Sequence, residues 1–221
     1  MKEKKKARQV EFHFLTIFPR IFDSYLNESL FRRARMEGTV KVFVHNIRDF
    51  SRERHKKVDD RPFGGGPGMV LQVDPIFRAV SSILSKGKKK TKVLLFSTRG
   101  KKLTSSYAER LSKYERIVCI CGRYEGVDER VAEYIADEEI SIGEYVLSGG
   151  ELAALVLAES TSRFLPGFLG KLESLESVNG SFSTYTRPEK FFPGRSKKSW
   201  DVPRVLVSGN HSAIKKWRAR K

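Results

Sequence analysis

Three times along the chain, a short run of branched and aromatic residues ends in a glycine-bearing turn and gives way to helix-type spacing. The runs 93–96, 117–121 and 139–142 lead into Ser97-Thr98-Arg99-Gly100, Gly122-Arg123-Tyr124-Glu125-Gly126 and Gly143-Glu144-Tyr145-Val146-Leu147-Ser148-Gly149-Gly150. Strands that alternate with helices argue for an α/β fold with a mainly parallel sheet and right-handed crossovers. Ligands of such sheets bind beyond the carboxyl ends of the strands, where these turns fall. Glycine lets ligand atoms approach backbone N–H and C=O groups closely. The three turns therefore predict a pocket lined by main chain, built chiefly from 121–151.

The rest of the chain fits the same plan. Residues 11–18, rich in aromatic and branched side chains, read as a strand. Pro19 opens a helix to about residue 35, and 39–44 form a second strand. The stretch 46–69 has little periodicity and contains Gly64-Gly65-Gly66-Pro67-Gly68; loops this long in compact domains are commonly functional. Asp74-Pro75 starts a helix carrying Ile76, Phe77, Val80, Ile83 and Leu84, which Gly87 ends. Further helices are expected around 105–113, up to about 135, and from Ser148 to about 164, where Ser148 and Glu151 have capping-box spacing. The pattern loosens after Pro166-Gly167, and Asn210 caps a last helix.

The formal charge of +17 implies an anionic partner such as nucleic acid. Basic residues cluster at 2–8, 32–35, 52–57, 86–92, 195–198 and 215–221, whereas 123–159 holds ten acids against two arginines. A basic periphery suits RNA; an acidic middle suits a cationic small molecule. No run approaches the ~18 apolar residues of a membrane span, and no signal peptide is legible. No membrane contact and a cytoplasmic location are expected. Cys119 and Cys121 would face the same side of one strand, poor geometry for a disulfide. Two thiols also fall short of a zinc site, so buried core thiols and no metal-ligating residues are expected. There is no phosphate-binding Gly-x-x-x-x-Gly-Lys-Ser/Thr, no dinucleotide Gly-x-Gly-x-x-Gly and no Gly-x-Ser-x-Gly elbow. An adenosyl ligand without phosphates stays compatible with the turns.

Longer motifs sharpen this. Arg48-Asp49-Phe50, the run Val58-Asp59-Asp60-Arg61-Pro62-Phe63-Gly64-Gly65-Gly66-Pro67-Gly68-Met69, Cys121-Gly122-Arg123-Tyr124-Glu125-Gly126-Val127-Asp128-Glu129-Arg130, Ser141-Ile142-Gly143-Glu144-Tyr145-Val146-Leu147-Ser148-Gly149-Gly150-Glu151, Tyr185-Thr186-Arg187-Pro188 and Ser208-Gly209-Asn210-His211 occur in this order. The set closely resembles the bacterial tRNA (guanine-N1)-methyltransferase family, TrmD. The resemblance spans about 12–218. It implies a deep trefoil knot of the SPOUT class, a homodimer, S-adenosylmethionine bound in the knot, and methylation of the tRNA guanine 3′ of the anticodon. Carried over position by position, the donor pocket would be Leu95, Phe96, Ser97, Gly122, Tyr124, Glu125, Ser141, Ile142, Gly143, Glu144, Tyr145, Val146, Leu147, Gly149 and Gly150. Arg163 and Glu125 are the candidate catalytic residues, and Mg2+ is a candidate second cofactor. Arg52, Lys56, Asp59, Arg61 and Arg218 are candidates to face RNA. The resemblance divides the chain into a donor-binding domain over 1–168, a linker over 169–202 and a helical segment over 203–221.

The chain also departs from the family. The family's general base is an aspartate directly before a Ser-Phe pair in the linker, whereas here Asn179-Gly180 precedes Ser181-Phe182. Glu173 and Glu176 are candidate substitutes. The first pocket turn reads Ser-Thr-Arg-Gly where the family usually has Ser-Pro-Gln-Gly. The C-terminal helical segment is expected to be shorter than the family's tRNA-binding domain. Two readings follow: a tRNA (guanine-N1)-methyltransferase, or a degenerate paralogue that binds S-adenosylmethionine, with or without RNA, and transfers weakly or not at all. A basic RNA-binding module without a small molecule is disfavoured, because all three pocket turns are retained.

Overall fold

The computed structural model describes residues 9–169, 182–194 and 198–219. The basic cluster at 2–8, most of that at 195–198, the candidate bases Glu173 and Glu176, and Asn179-Gly180-Ser181 lie outside them. The chain forms two compact units, 1–171 and 172–221.

The first unit is an α/β sandwich around five parallel strands: β1 (Val10–Thr16), β2 (Val40–Asn46), β5 (Thr91–Lys102), β6 (Arg116–Ile120) and β7 (Glu138–Ser141), in the order β2-β1-β6-β5-β7. Every residue of β1 and β6 is buried, as expected of central parallel strands covered on both faces. One face is filled by Phe12, Phe14 and Cys119 with Ala154, Leu157 and Ala158. The other is filled by Leu15, Val118 and Ile120 with Ile76, Ala79 and Ile83. Cys119 and Cys121 are free, buried and on one side of the sheet, as the spacing predicted.

Helices α1 (Asp23–Leu26), α2 (Ser29–Met36), α3 (Val73–Leu84), α4 (Ser105–Leu111), α5 (Glu129–Tyr134) and α6 (Glu151–Ser162) surround the sheet. The helix expected from Pro19 to about 35 is instead a 3-10 turn, Pro19–Phe22, followed by α1 and α2. The break sits where the Asn27 side chain donates to the Asp23 carbonyl at 2.6 Å and accepts from Arg35 at 2.9 Å. Ser97–Gly100 is not a turn beyond a strand end but an irregular passage inside β5. Its pairing with β7 breaks after Phe96 and resumes at Lys101 in a shifted register, both residues standing opposite Ile140. Gly100 permits this, because a Cβ there would lie 2.5 Å from the Ile140 nitrogen.

Within 46–69 the chain makes a 3-10 turn, Ile47–Phe50, and the strand β3 (Asp59–Asp60), which pairs antiparallel with β4 (Val70–Leu71). The expected capping box is absent. Helix α6 starts at Glu151 with Gly150, which has no side chain to cap with, as its N-cap in place of Ser148, and the Glu151 carboxylate is taken by Thr16 and Arg123. That helix ends at Ser162 with Arg163 as its C-cap, close to the expected end near 164.

The described part of the second unit holds an antiparallel ribbon, β8 (Lys190–Phe191) with β9 (Trp200–Asp201), and helices α7 (Arg204–Val207) and α8 (His211–Arg218). Asn210 caps α8 as expected, its Oδ1 accepting from the Ala213 N–H at 3.0 Å. Among the described residues no helix is long and apolar enough to cross a membrane.

Candidate functional site

The segments that follow β6 and β7 meet in space. Gly150 donates its N–H to the Gly122 carbonyl at 3.1 Å, and Arg123 bridges Gly149 in antiparallel fashion. A Cβ on Gly150 would lie 2.8 Å from the Cys121 Cα, so only glycine fits this crossing. Arg123 fixes it electrostatically. Its guanidinium holds Glu151 with Nε at 3.0 Å and Nη2 at 2.9 Å from Oε2, while Thr16 donates to Oε1 at 2.6 Å. Glu151 is 1% exposed, and a carboxylate this deep persists only with such partners. The Phe18 ring closes the far side of the guanidinium at 4.8 Å.

These segments enclose a cavity of about 480 Å³ together with the irregular part of β5, within the roughly 300–1,000 Å³ of small-molecule sites. The expected donor-pocket residues line it, Tyr145, Val146, Ser141 and Gly122 among them, with one exception. Glu144 points away, 91% of its side chain exposed, and pairs with Lys102 at 3.1 Å. Directly after Gly143 a turn residue can face either side, so its place in the motif did not decide its direction. Tyr124 has φ +61°, a left-handed conformation uncommon for a residue with a Cβ; such strain concentrates at ligand-binding segments.

Sequence reasoning missed Arg99, Arg123, Glu129 and Glu139 as lining residues. Arg99 spans the cavity wall, with Nη2 at 2.5 Å from Glu129 and Nε at 3.2 Å from Glu139. The Glu129 carboxylate first, and Glu139 second, hold its guanidinium above its ordinary range. Arg99 thus offsets two of the three lining carboxylates. Among the described residues no cation lies within salt-bridge distance of the third, Glu125. The signals for Arg99 were its place in the first pocket segment and the departure there from the family's usual Ser-Pro-Gln-Gly, and neither reveals a bridge to a helix residue 30 positions away and a strand residue 40 positions away.

The Glu125 N–H donates to the Met69 carbonyl at 3.0 Å, and the Leu71 N–H donates to the Gly126 carbonyl at 3.0 Å. The 61–69 loop therefore projects beside the cavity, with Phe63 fully exposed. Arg52 and Arg61 are exposed, Asp59 lies in β3 half-buried, and Lys56 pairs with Asp49 at 3.2 Å. Arg163 is the C-cap of α6, paired with Glu159 at 3.7 Å and outside the cavity lining. Arg218 belongs to the second unit, its guanidinium 4.4 Å over the Phe182 ring. Among the described residues, no three His, Cys, Asp or Glu converge to hold a metal ion.

The profile of the family described as tRNA (Guanine-1)-methyltransferase TrmD matches residues 10–221. This chain belongs to that family. A tRNA (guanine-N(1)-)-methyltransferase of Dehalococcoides mccartyi (strain 195) is 45% identical over 93% of this chain and 83% of its own length. One from Clostridioides difficile is 44% identical over 95% and 90% respectively. Among solved structures, the tRNA (m1G37) methyltransferase of Aquifex aeolicus superposes with a TM-score of 0.78 and 40% identity, covering 95% of this chain and 87% of that one. The TrmD family match reaches both units, so the cavity and the basic second unit belong to one family framework.

Proposed function

We propose that this chain methylates N1 of the tRNA guanine 3′ of the anticodon, using S-adenosylmethionine, as a cytoplasmic homodimer with a trefoil-knotted donor site. The observation that carries the reading is the convergence of the 95–99, 122–126 and 141–150 segments on one main-chain-lined cavity. Its donor set suits the ligand: backbone amides and carbonyls for adenine, and the unneutralised Glu125 for a cation. S-adenosylmethionine supplies an electrophilic methyl group on a sulfonium. The knot is supported by the passage of Gly149-Gly150 against Cys121-Gly122, after which α6 packs on β1. The proposed domains are 1–168 for the donor, 169–202 as linker and 203–221 as the helical segment.

Guanine N1 carries a proton, so transfer needs a base to remove it and a cation to stabilise charge growing on O6. Arg163 supplies the cation and Glu125 borders the reacting end. Arg163 stands at the opposite end of the 12-residue α6 from the cavity, roughly 18 Å along the axis. It therefore serves the cavity of a second copy. The surface for that copy is the outer side of α6, where Leu152 and Val156 are exposed, with Phe18 and Tyr25 exposed beside it. Arg52, Lys56, Asp59 and Arg61 flank the target base, and Arg218 meets the RNA backbone from the second unit.

The test is methyl transfer from labelled donor to tRNA transcripts with guanine or adenine 3′ of the anticodon. Transfer that requires guanine supports the reading. Equal transfer to both bases overturns it, and donor binding without transfer assigns the degenerate paralogue. Gly180→Asp then asks whether the aspartate missing before Ser181 limits the rate. Chelation and Mg2+ add-back in the same assay read any metal dependence. Mixed dimers of Arg163→Ala with a donor-loop variant regain activity only if Arg163 works across the dimer.

A further inference from the structure

The second unit has a property that the first lacks: none of its described residues, 182–194 and 198–219, is buried. Its ribbon pairs β8 with β9 so that Phe191 stands opposite Trp200, and Lys190 opposite Asp201. Directly opposite residues of an antiparallel pair share a face, so one face of the ribbon is aromatic and the other charged. The two ring centroids are 5.6 Å apart with planes at 46°. Trp200 is 65% exposed and Phe191 48%, and the adjacent Phe192 is 53% exposed. Large rings left in water forgo the burial that makes aromatic residues stabilising, which points to a partner that covers them.

Charge identifies the partner. From 182 to 221 the chain carries eleven lysines and arginines against two acids, Glu189 and Asp201. A polyanion is favoured, and a polyanion that also covers flat rings is a single-stranded nucleic acid, whose unpaired bases stack on aromatic side chains while lysine and arginine follow the phosphates. We propose that the Phe191–Trp200 face of the β8–β9 ribbon is a stacking platform for an unpaired nucleobase of RNA. The proposal rests on the tRNA reading above and adds to it a site in the second unit that reads no base edge, so it tolerates any base.

The experiment uses the full chain carrying Trp217→Phe, which leaves Trp200 as the sole tryptophan. Titration with a tRNA transcript, and with an unstructured RNA oligonucleotide, is expected to quench Trp200 emission to saturation. An abasic oligonucleotide of equal charge leaves it unquenched. Trp200→Ala and Phe191→Ala weaken RNA binding by about five- to a hundredfold, Trp200→Phe restores most of it, and S-adenosylmethionine binding is unchanged in all three. Equal quenching by the abasic strand, or Trp200→Ala binding tRNA as the parent does, overturns the platform while leaving the tRNA reading intact. A parent chain that binds no tRNA overturns both. A Trp200 emission shift that follows protein concentration without RNA assigns the face to a second copy and overturns the proposal.

Discussion

Arg123 grips Glu151 through two nitrogens, at 3.0 and 2.9 Å from one carboxylate oxygen, and so fastens the turn after β6 to the first residue of α6. Both residues belong to the protein's own chain crossing, and Arg123 also lines the cavity. The ion pair therefore couples the stability of the crossing to the shape of the cavity.

Glu151→Ala is expected to cost about 3 kcal/mol in urea unfolding, because it leaves a largely buried guanidinium and the Thr16 hydroxyl without their acceptor. Arg123→Met combined with Glu151→Leu should cost less than the two single changes together. A single-variant loss below ~1 kcal/mol would show that water replaces the carboxylate and that the pair is not structural.

Gly150→Ala places a methyl against the Cys121 Cα, where backbone on both sides has no room to yield. We expect a destabilisation of roughly 1–3 kcal/mol and a loss of S-adenosylmethionine affinity of at least about tenfold, read by calorimetry. Wild-type affinity in the folded variant would sink the claim that this crossing shapes the pocket.

Arg99→Ala unmasks Glu129 and Glu139 in the cavity wall. Preference for the sulfonium donor over its neutral thioether product, S-adenosylhomocysteine, should rise by a factor of a few, modest because solvent screens exposed charges. The ratio of the two dissociation constants reads it, and an unchanged ratio removes Arg99 from donor discrimination.

His13 sits in β1 with its ring stacked on Phe43 and its Nδ1 2.9 Å from Nε2 of His45. Burial first, then the charges of His45 and Arg116, bring it down to about 4, and burial also lowers His45. Between pH 6.5 and 4 the unfolded chain therefore binds protons that the folded chain refuses, so stability falls as pH drops through that window. The loss from His13 is on the order of 2–3 kcal/mol. Urea midpoints measured from pH 8 to 4 should show the fall, and His13→Phe should flatten much of it. An equal slope in the variant would place the acid sensitivity elsewhere.

The parallel sheet was legible because residues 93–96 of β5 and 117–120 of β6 are short apolar runs between helix-type segments, and buried parallel strands need no alternation. Two walls of the pocket were legible because glycine marked the segments after β6 and β7, while the third proved to be an irregular passage inside β5. What stayed hidden was non-local. Arg99 joins two acids 30 and 40 residues away, Glu151 looked like a helix-capping residue until Arg123 and Thr16 claimed it, and Glu144 turned outward in a motif whose neighbours face in. The break between α1 and α2 was likewise hidden, since it depends on Asn27 and Arg35 bonding to a turn that periodicity reads as continuous.

The strand order has a further consequence for how the molecule is made. β1 lies between β2 and β6, and β6 begins about 70 residues after β2 ends. A ribosome adding about 5–20 residues per second leaves one edge of β1, every residue of which is buried in the finished sheet, unpaired for roughly 4–14 s during synthesis. An open edge of that kind recruits other strands, so newly made chains should depend on chaperone cover until residue 120 emerges, and slowing translation between β2 and β6 should lower soluble yield without altering the finished protein.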